Sequence, residues 1–203
     1  MEEAIRKADV LIEALPYIKK FHNKVIVIKY GGSILGEEKI RKGVLEDIVF
    51  LSFMGLKPVL VHGGGPNISD RLRQAGVKTE FVDGMRVTDE STLKVVEEEL
   101  QELNDMIVKE INELGAKAVG LNGKDGIIGV EKKKAKVDLG LVGHITEVNA
   151  ESIQDELRKN IGLVYEFWNP LNCRTLCCHV LPDTPDTFPR ASSKSSRDGL
   201  HFS

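Results

Sequence analysis

Two short stretches concentrate the groups that handle anions. Val25-Ile-Val-Ile-Lys-Tyr-Gly-Gly-Ser33 is a β-branched run that ends in a lysine, with two glycines and a serine directly after it. Pro58-Val-Leu-Val-His-Gly-Gly-Gly-Pro66 repeats the pattern with a histidine before three glycines. A glycine turn lets backbone N–H groups approach an anion closely, and a helix that starts there adds its positive end. Lys29 puts a cation at the mouth of the first turn, where it could stabilise charge in phosphoryl transfer; a snorkelling lysine at a sheet edge is the plainer alternative. Arg86, in Gly84-Met-Arg-Val-Thr-Asp89, has the fork that grips a carboxylate; a surface arginine beside Asp89 is the plainer alternative. His62 reads as a packed histidine. Lys124 and Asp125 are either a solvated turn or part of the same site.

Neither standard nucleotide fingerprint is present. Position 68 is isoleucine, so the three glycines at 63–65 do not open a dinucleotide motif, and Gly123-Lys124 is followed by aspartate without the upstream glycine of a phosphate loop. Cys173, Cys177, Cys178 and His179 fit no zinc spacing, so no metal ligands are assigned.

The elements around these residues alternate between strand and helix. Residues 2–20 form an amphipathic stripe of Ile5, Ala8, Leu11, Ile12 and Leu15, which Pro16 is expected to kink or end. Strands are predicted at 25–28, 59–61 and 116–121. Helices are predicted at 37–53, from Pro66 to Gly76, at 89–113 and at 150–158. Residues 81–88 read as a loop, and 127–130 could pair with 142–145 as a hairpin with the lysine-rich tip 132–136. This order predicts an α/β three-layer sandwich with a mainly parallel sheet, with ligands at the carboxyl ends of the strands, where both glycine turns fall. The organisation expected is an N-terminal helix at 1–24 that could join subunits, a substrate lobe at 25–160, and an unrelated, disordered tail at 161–203. That tail holds every cysteine, the one tryptophan and four of the seven prolines.

Composition excludes several classes. A net charge of −3 gives no basic field for nucleic acid, and 5% aromatic residues offer few stacking surfaces. No apolar run is long enough to span a bilayer, and the first residues lack the pattern of a signal peptide, so a cytoplasmic location is expected.

Five segments in this order resemble the acetylglutamate kinases of the amino acid kinase family. They are Ile28-Lys-Tyr-Gly-Gly-Ser33, Val61-His-Gly-Gly-Gly-Pro-Asn67, Gly84-Met-Arg-Val-Thr-Asp89, Ala118-Val-Gly-Leu-Asn-Gly-Lys-Asp-Gly126 and Asp138-Leu-Gly-Leu-Val-Gly143. The resemblance covers roughly residues 9–160. It implies a transferase of arginine biosynthesis that moves the γ-phosphoryl group of ATP, with Mg2+, onto the side-chain carboxylate of N-acetyl-L-glutamate. Lys29 would stabilise the transition state, and Gly32, beside Gly31, would touch the transferring phosphoryl group. Gly64 and Gly65 would bind substrate, and Arg86 would hold its α-carboxylate. The first helix resembles the extension of arginine-inhibited hexameric members, which implies a homo-oligomer.

Family members continue past the equivalent of Asn160 with an apolar strand and then a nucleotide-binding half, which residues 161–203 do not match. Their composition resembles that of translation in a shifted reading frame. The resemblance therefore implies impaired activity for this chain. A kinase for another acidic substrate, such as a carrier-linked aminoadipate, and a non-catalytic binding lobe remain open.

Overall fold

The computed structural model describes residues 1–31, 37–122, 126–159 and 162–166. Its centre is a four-stranded sheet built of β1 (Val25–Tyr30), β2 (Lys57–His62), β5 (Ala118–Leu121) and β8 (Gly162–Glu166), in the order β1-β2-β8-β5. All three pairings are parallel. Parallel neighbours need crossovers, and helix α2 (Glu38–Phe53) supplies the one between β1 and β2. The α/β layered architecture with a parallel sheet is as expected.

Each face of the sheet has its own core. On one face α2 and α4 (Glu90–Glu113) pack Leu45, Ile48, Leu103, Ile107 and Ile111 onto Tyr30, Leu60 and Val164. Asp89 starts α4 by accepting a hydrogen bond from the Thr92 N–H at 2.7 Å. On the other face, Leu157 of α5 (Ala150–Arg158) and Ile127 cover Val59 and Leu121. Ile127 leads into the antiparallel hairpin of β6 (Ile128–Lys132) and β7 (Gly143–Val148), which was expected in outline.

Three expectations need correction. Residues 81–88 are not a plain loop: β3 (Phe81–Val82) and β4 (Met85–Arg86) pair as a small ribbon. Asp83 and Gly84 form its turn, both at positive φ (51° and 77°), the twist that tight hairpins require. Of the two outcomes expected at Pro16, a kink or an end, the end does not occur: α1 runs from Glu2 to Phe21 with Pro16 inside it. The carbonyl that loses its intrahelical partner there lies on an exposed helix, where water can satisfy it. Finally, the lobe does not stop at residue 160. Residues 162–166 form β8, hydrogen-bonded on both sides in the middle of the sheet. A short run containing Leu, Val and Tyr suits a slot between two strands. The rest of the expected tail lies outside the described residues.

Candidate functional site

The sheet register brings the carboxyl ends of β1 and β2 together. Lys29 pairs with Val61 and Tyr30 with His62, so Gly31 leaves β1 at the level where Gly63 leaves β2. Lys29 is half-buried, on the face of β1 opposite Tyr30. Gly64 caps helix α3 (Gly65–Gln74), which has Pro66 in its first turn, so the helix opens at the carboxyl end of β2. Gly32, Lys124 and Asp125 lie outside the described residues.

Gly64 sits in a tight space rather than in a special conformation. A left-handed backbone is the usual reason for a turn glycine, but its φ is −143°. A Cβ there would come within 2.9 Å of a Leu103 methyl and 3.0 Å of a Leu100 methyl. The turn is thus pressed against α4, and Gly65 is left on the exposed side.

Arg86 is 6% exposed. Its Nη2 donates to Ser69 Oγ at 2.7 Å, and the Ser69 hydroxyl donates to the Gly65 carbonyl at 2.9 Å. Its guanidinium carbon lies 4.6 Å from the centre of the Phe81 ring, the cross-strand neighbour in the ribbon. Among the described residues, Nη1 has no hydrogen-bond partner although it is buried. Burial alone pushes the pKa of Arg86 down from its ordinary value. An arginine stays charged regardless, so a buried cation here carries uncommitted donors.

The ribbon that carries Arg86 is braced from behind. Thr88, fully buried, donates its N–H to the Leu139 carbonyl at 3.0 Å and accepts from the Leu141 N–H at 2.7 Å. Gly140, between them at φ +70°, lies so close to the Thr88 carbonyl that a Cβ would clash with it. Met85, Leu139 and Val142 close a small apolar core around this contact. The Thr88 hydroxyl donates to the Arg86 carbonyl at 3.1 Å.

His62 is 1% exposed, and burial pushes its pKa down to about 4, so it is neutral at pH 7. It belongs to the packing, as expected from the sequence. Asn104 is a polar group that sequence reasoning missed. Its side-chain amide donates to the carbonyls of Leu121 and Val164, near the ends of β5 and β8. Ser69 was missed too; its position four residues after Gly65 on α3 was the available signal.

Residues 24–168 match the family model described as "Amino acid kinase family". The chain is 52% identical over 154 residues to the acetylglutamate kinase of Caldanaerobacter subterraneus subsp. tengcongensis, covering 75% of this chain and 52% of that protein. It is 45% identical over 160 residues to the acetylglutamate kinase of Campylobacter jejuni, covering 79% of this chain and 57% of that protein. The chain spans about half the length of the curated relatives it matches. Among solved structures, N-acetylglutamate synthase from Neisseria gonorrhoeae superposes with a TM-score of 0.66 at 20% identity, over 77% of this chain and 36% of that one. At that identity the likeness concerns the fold.

Proposed function

From the premise that this chain belongs to the amino acid kinase family, we propose that it is the acceptor-binding part of an acetylglutamate kinase. The observation that carries this reading is the buried Arg86, whose Nη1 is unpartnered among the described residues beside the Gly63–Gly65 turn. A carboxylate placed there would accept charge-assisted bonds from a cation already stripped of water. The name shared by the relatives supports N-acetyl-L-glutamate among acidic substrates.

The chemistry needs no general base, because a carboxylate is ionised and nucleophilic at neutral pH. A side-chain carboxylate oxygen of the substrate attacks the γ-phosphorus of ATP. The bond from that phosphorus to the β–γ bridging oxygen breaks, and its electron pair leaves with ADP. The protein's part is to bring two anions into line and to screen them. Arg86 and the N–H groups of Gly64 and Gly65 hold the acceptor. Lys29, with Gly31 and Gly32 after it, faces the transferring phosphoryl group. Mg2+ would arrive on the nucleotide phosphates. Among the described residues no group of three or more His, Cys, Asp or Glu side chains could ligate it, and no step is assigned to it.

The rest of the proposal follows from the same reading. The part of the relatives' length beyond this chain would hold the nucleotide, so 1–203 alone is expected to bind acceptor and transfer phosphoryl groups poorly. Helix α1, whose apolar side chains are exposed, would join copies of the chain into a homo-oligomer, with a hexamer as one outcome. Among the described residues no helix is long and apolar enough to cross a membrane, and a kinase of amino-acid biosynthesis would work in the cytoplasm.

Calorimetric titration of N-acetyl-L-glutamate into 1–203, paired with an ATP-dependent acyl-phosphate assay, tests the proposal. Saturable binding with little product is expected. No detectable binding would remove the acceptor-lobe reading. Robust product from purified 1–203 would overturn the assignment of the nucleotide to the part of the relatives beyond this chain.

A further inference from the structure

We propose that Ser69 is a positioning residue, one that sets the Arg86 guanidinium against the Gly63–Gly65 turn and so fixes how a substrate carboxylate is held. The inference rests on the reading of Arg86 as a carboxylate clamp. It adds a residue that touches neither substrate nor reacting atoms and acts through its neighbour.

A serine hydroxyl has one proton and two lone pairs. The Ser69 proton is directed to the Gly65 carbonyl at 2.9 Å, one helical turn before it. The oxygen is left to accept, and Arg86 Nη2 lies 2.7 Å away. The direction of the relay is therefore fixed, from guanidinium to hydroxyl to carbonyl. A single side chain on α3 thus ties together two elements that are distant in sequence, the turn after β2 and the β3–β4 ribbon.

The tie determines the orientation of the fork. Arginine has several rotatable bonds, and freezing them on ligand binding costs affinity. Here the ring of Phe81 defines the face of the guanidinium and Ser69 Oγ holds one edge. Nη1 then keeps its N–H donors uncommitted while already buried. A charge-assisted bond of this length is also stronger than a neutral one, so the hydroxyl holds the cation where a carboxylate can reach it. If Ser69 merely satisfied the helix, its removal would alter stability and would show no coupling to Arg86.

The test is a double-mutant cycle read by calorimetry with N-acetyl-L-glutamate on the 1–203 chain. Ser69→Ala, Ser69→Thr, Arg86→Lys and the Ser69→Ala/Arg86→Lys pair are compared, with melting temperatures recorded for each. Ser69→Ala is expected to weaken binding about tenfold, the worth of one charge-assisted hydrogen bond. Ser69→Thr keeps the hydroxyl and is expected to stay within about twofold of the parent. Introduced into Arg86→Lys, Ser69→Ala should cost nothing further, because no fork remains to be oriented.

Parental affinity in Ser69→Ala, or an additive loss in the pair, overturns the role of Ser69. If Arg86→Lys weakens binding and Ser69→Ala does not, this inference alone falls. If Arg86→Lys binds like the parent, or the parent does not bind at all, the clamp reading falls and takes Ser69 with it.

Discussion

Arg41 and Arg86 are both largely withdrawn from water, and they differ in what answers their charge. Arg41 on α2 meets Glu110 on α4 in a forked ion pair, with Nη2 at 2.9 Å and Nε at 3.0 and 3.1 Å from the carboxylate oxygens. The hydrogen bonding that Arg41 donates to Glu110 is the main cause that raises the pKa of Arg41. Arg86 is buried more deeply and, among the described residues, has a serine hydroxyl and an aromatic face instead of a carboxylate. Its pKa is shifted the other way, by burial. The first arginine completes a junction between two helices. The second leaves the fold with an uncompensated cost, since a buried charge without a counter-ion is unfavourable. Such a cost is expected where a ligand brings the missing charge.

The contrast predicts opposite phenotypes. Arg86→Met should remove on the order of 3 kcal/mol of N-acetyl-L-glutamate binding, the worth of two charge-assisted hydrogen bonds, and leave urea stability equal or higher. Arg41→Met should do the reverse. It strands Glu110 without its cation and should cost about 2–3 kcal/mol of stability. That falls short of the figure for a deeply buried pair because the two side chains keep 13% and 18% exposure. Substrate affinity should not change. Urea midpoints and calorimetry on both variants settle it; if Arg86→Met lost stability while binding persisted, the two arginines would be of one kind.

His62 gives a third form of withdrawal, a titratable group buried in its neutral state. Its pKa in the fold is about 4 against an ordinary 6.5, chiefly through burial. Between those values the unfolded chain binds the proton and the folded chain does not, so stability rises with pH across that window and falls as pH drops from about 6.5 toward 4. Lowering the pH from about 6.5 to 5 should cost on the order of 1.5 kcal/mol. His62→Leu should flatten that part of the curve. An unchanged slope in the variant would assign the acid sensitivity to other groups.

The same distinction between paired and unpaired groups marks what could be read in the sequence. Three of the parallel strands, the helices between them and the glycine segments follow from period and punctuation, as does the position of Lys29 near a strand end; Arg86 was read as lying in a loop. The β3–β4 ribbon was missed because its strands are two residues long, although the Asp83-Gly84 turn was a usable signal. Strand β8 was missed because a run of five residues next to a proline- and cysteine-rich segment shows too little period to stand out from it. Ser69, four residues after Gly65, and Asn104, a polar residue within the buried stripe of α4, carry only weak signals of spacing. Their importance lies in which carbonyls and cations they reach, and that becomes visible only after α3 and α4 are docked.

Helix α1 presents the apolar version of an unanswered group, and it carries the prediction with the smallest effect on the subunit itself. Helix α4 has the same amphipathic character and buries Val96, Leu100, Leu103, Ile107 and Ile111. Helix α1 buries no residue, and Ile5, Leu11, Ile12 and Leu15 remain between 44% and 68% exposed. A 20-residue helix is marginal alone in water, and the proposed subunit contact would cover this stripe. Deleting residues 2–20 should therefore leave the melting temperature of dilute protein within about 2 °C of the parent, because no core contact is removed. It should also lower the mass measured by light scattering at high concentration. Dilution matters, since assembly stabilises the folded subunit by mass action and would mix the two effects. A lower melting temperature with unchanged mass would place α1 in the core of the subunit, and unchanged values of both would leave the stripe without a role in assembly.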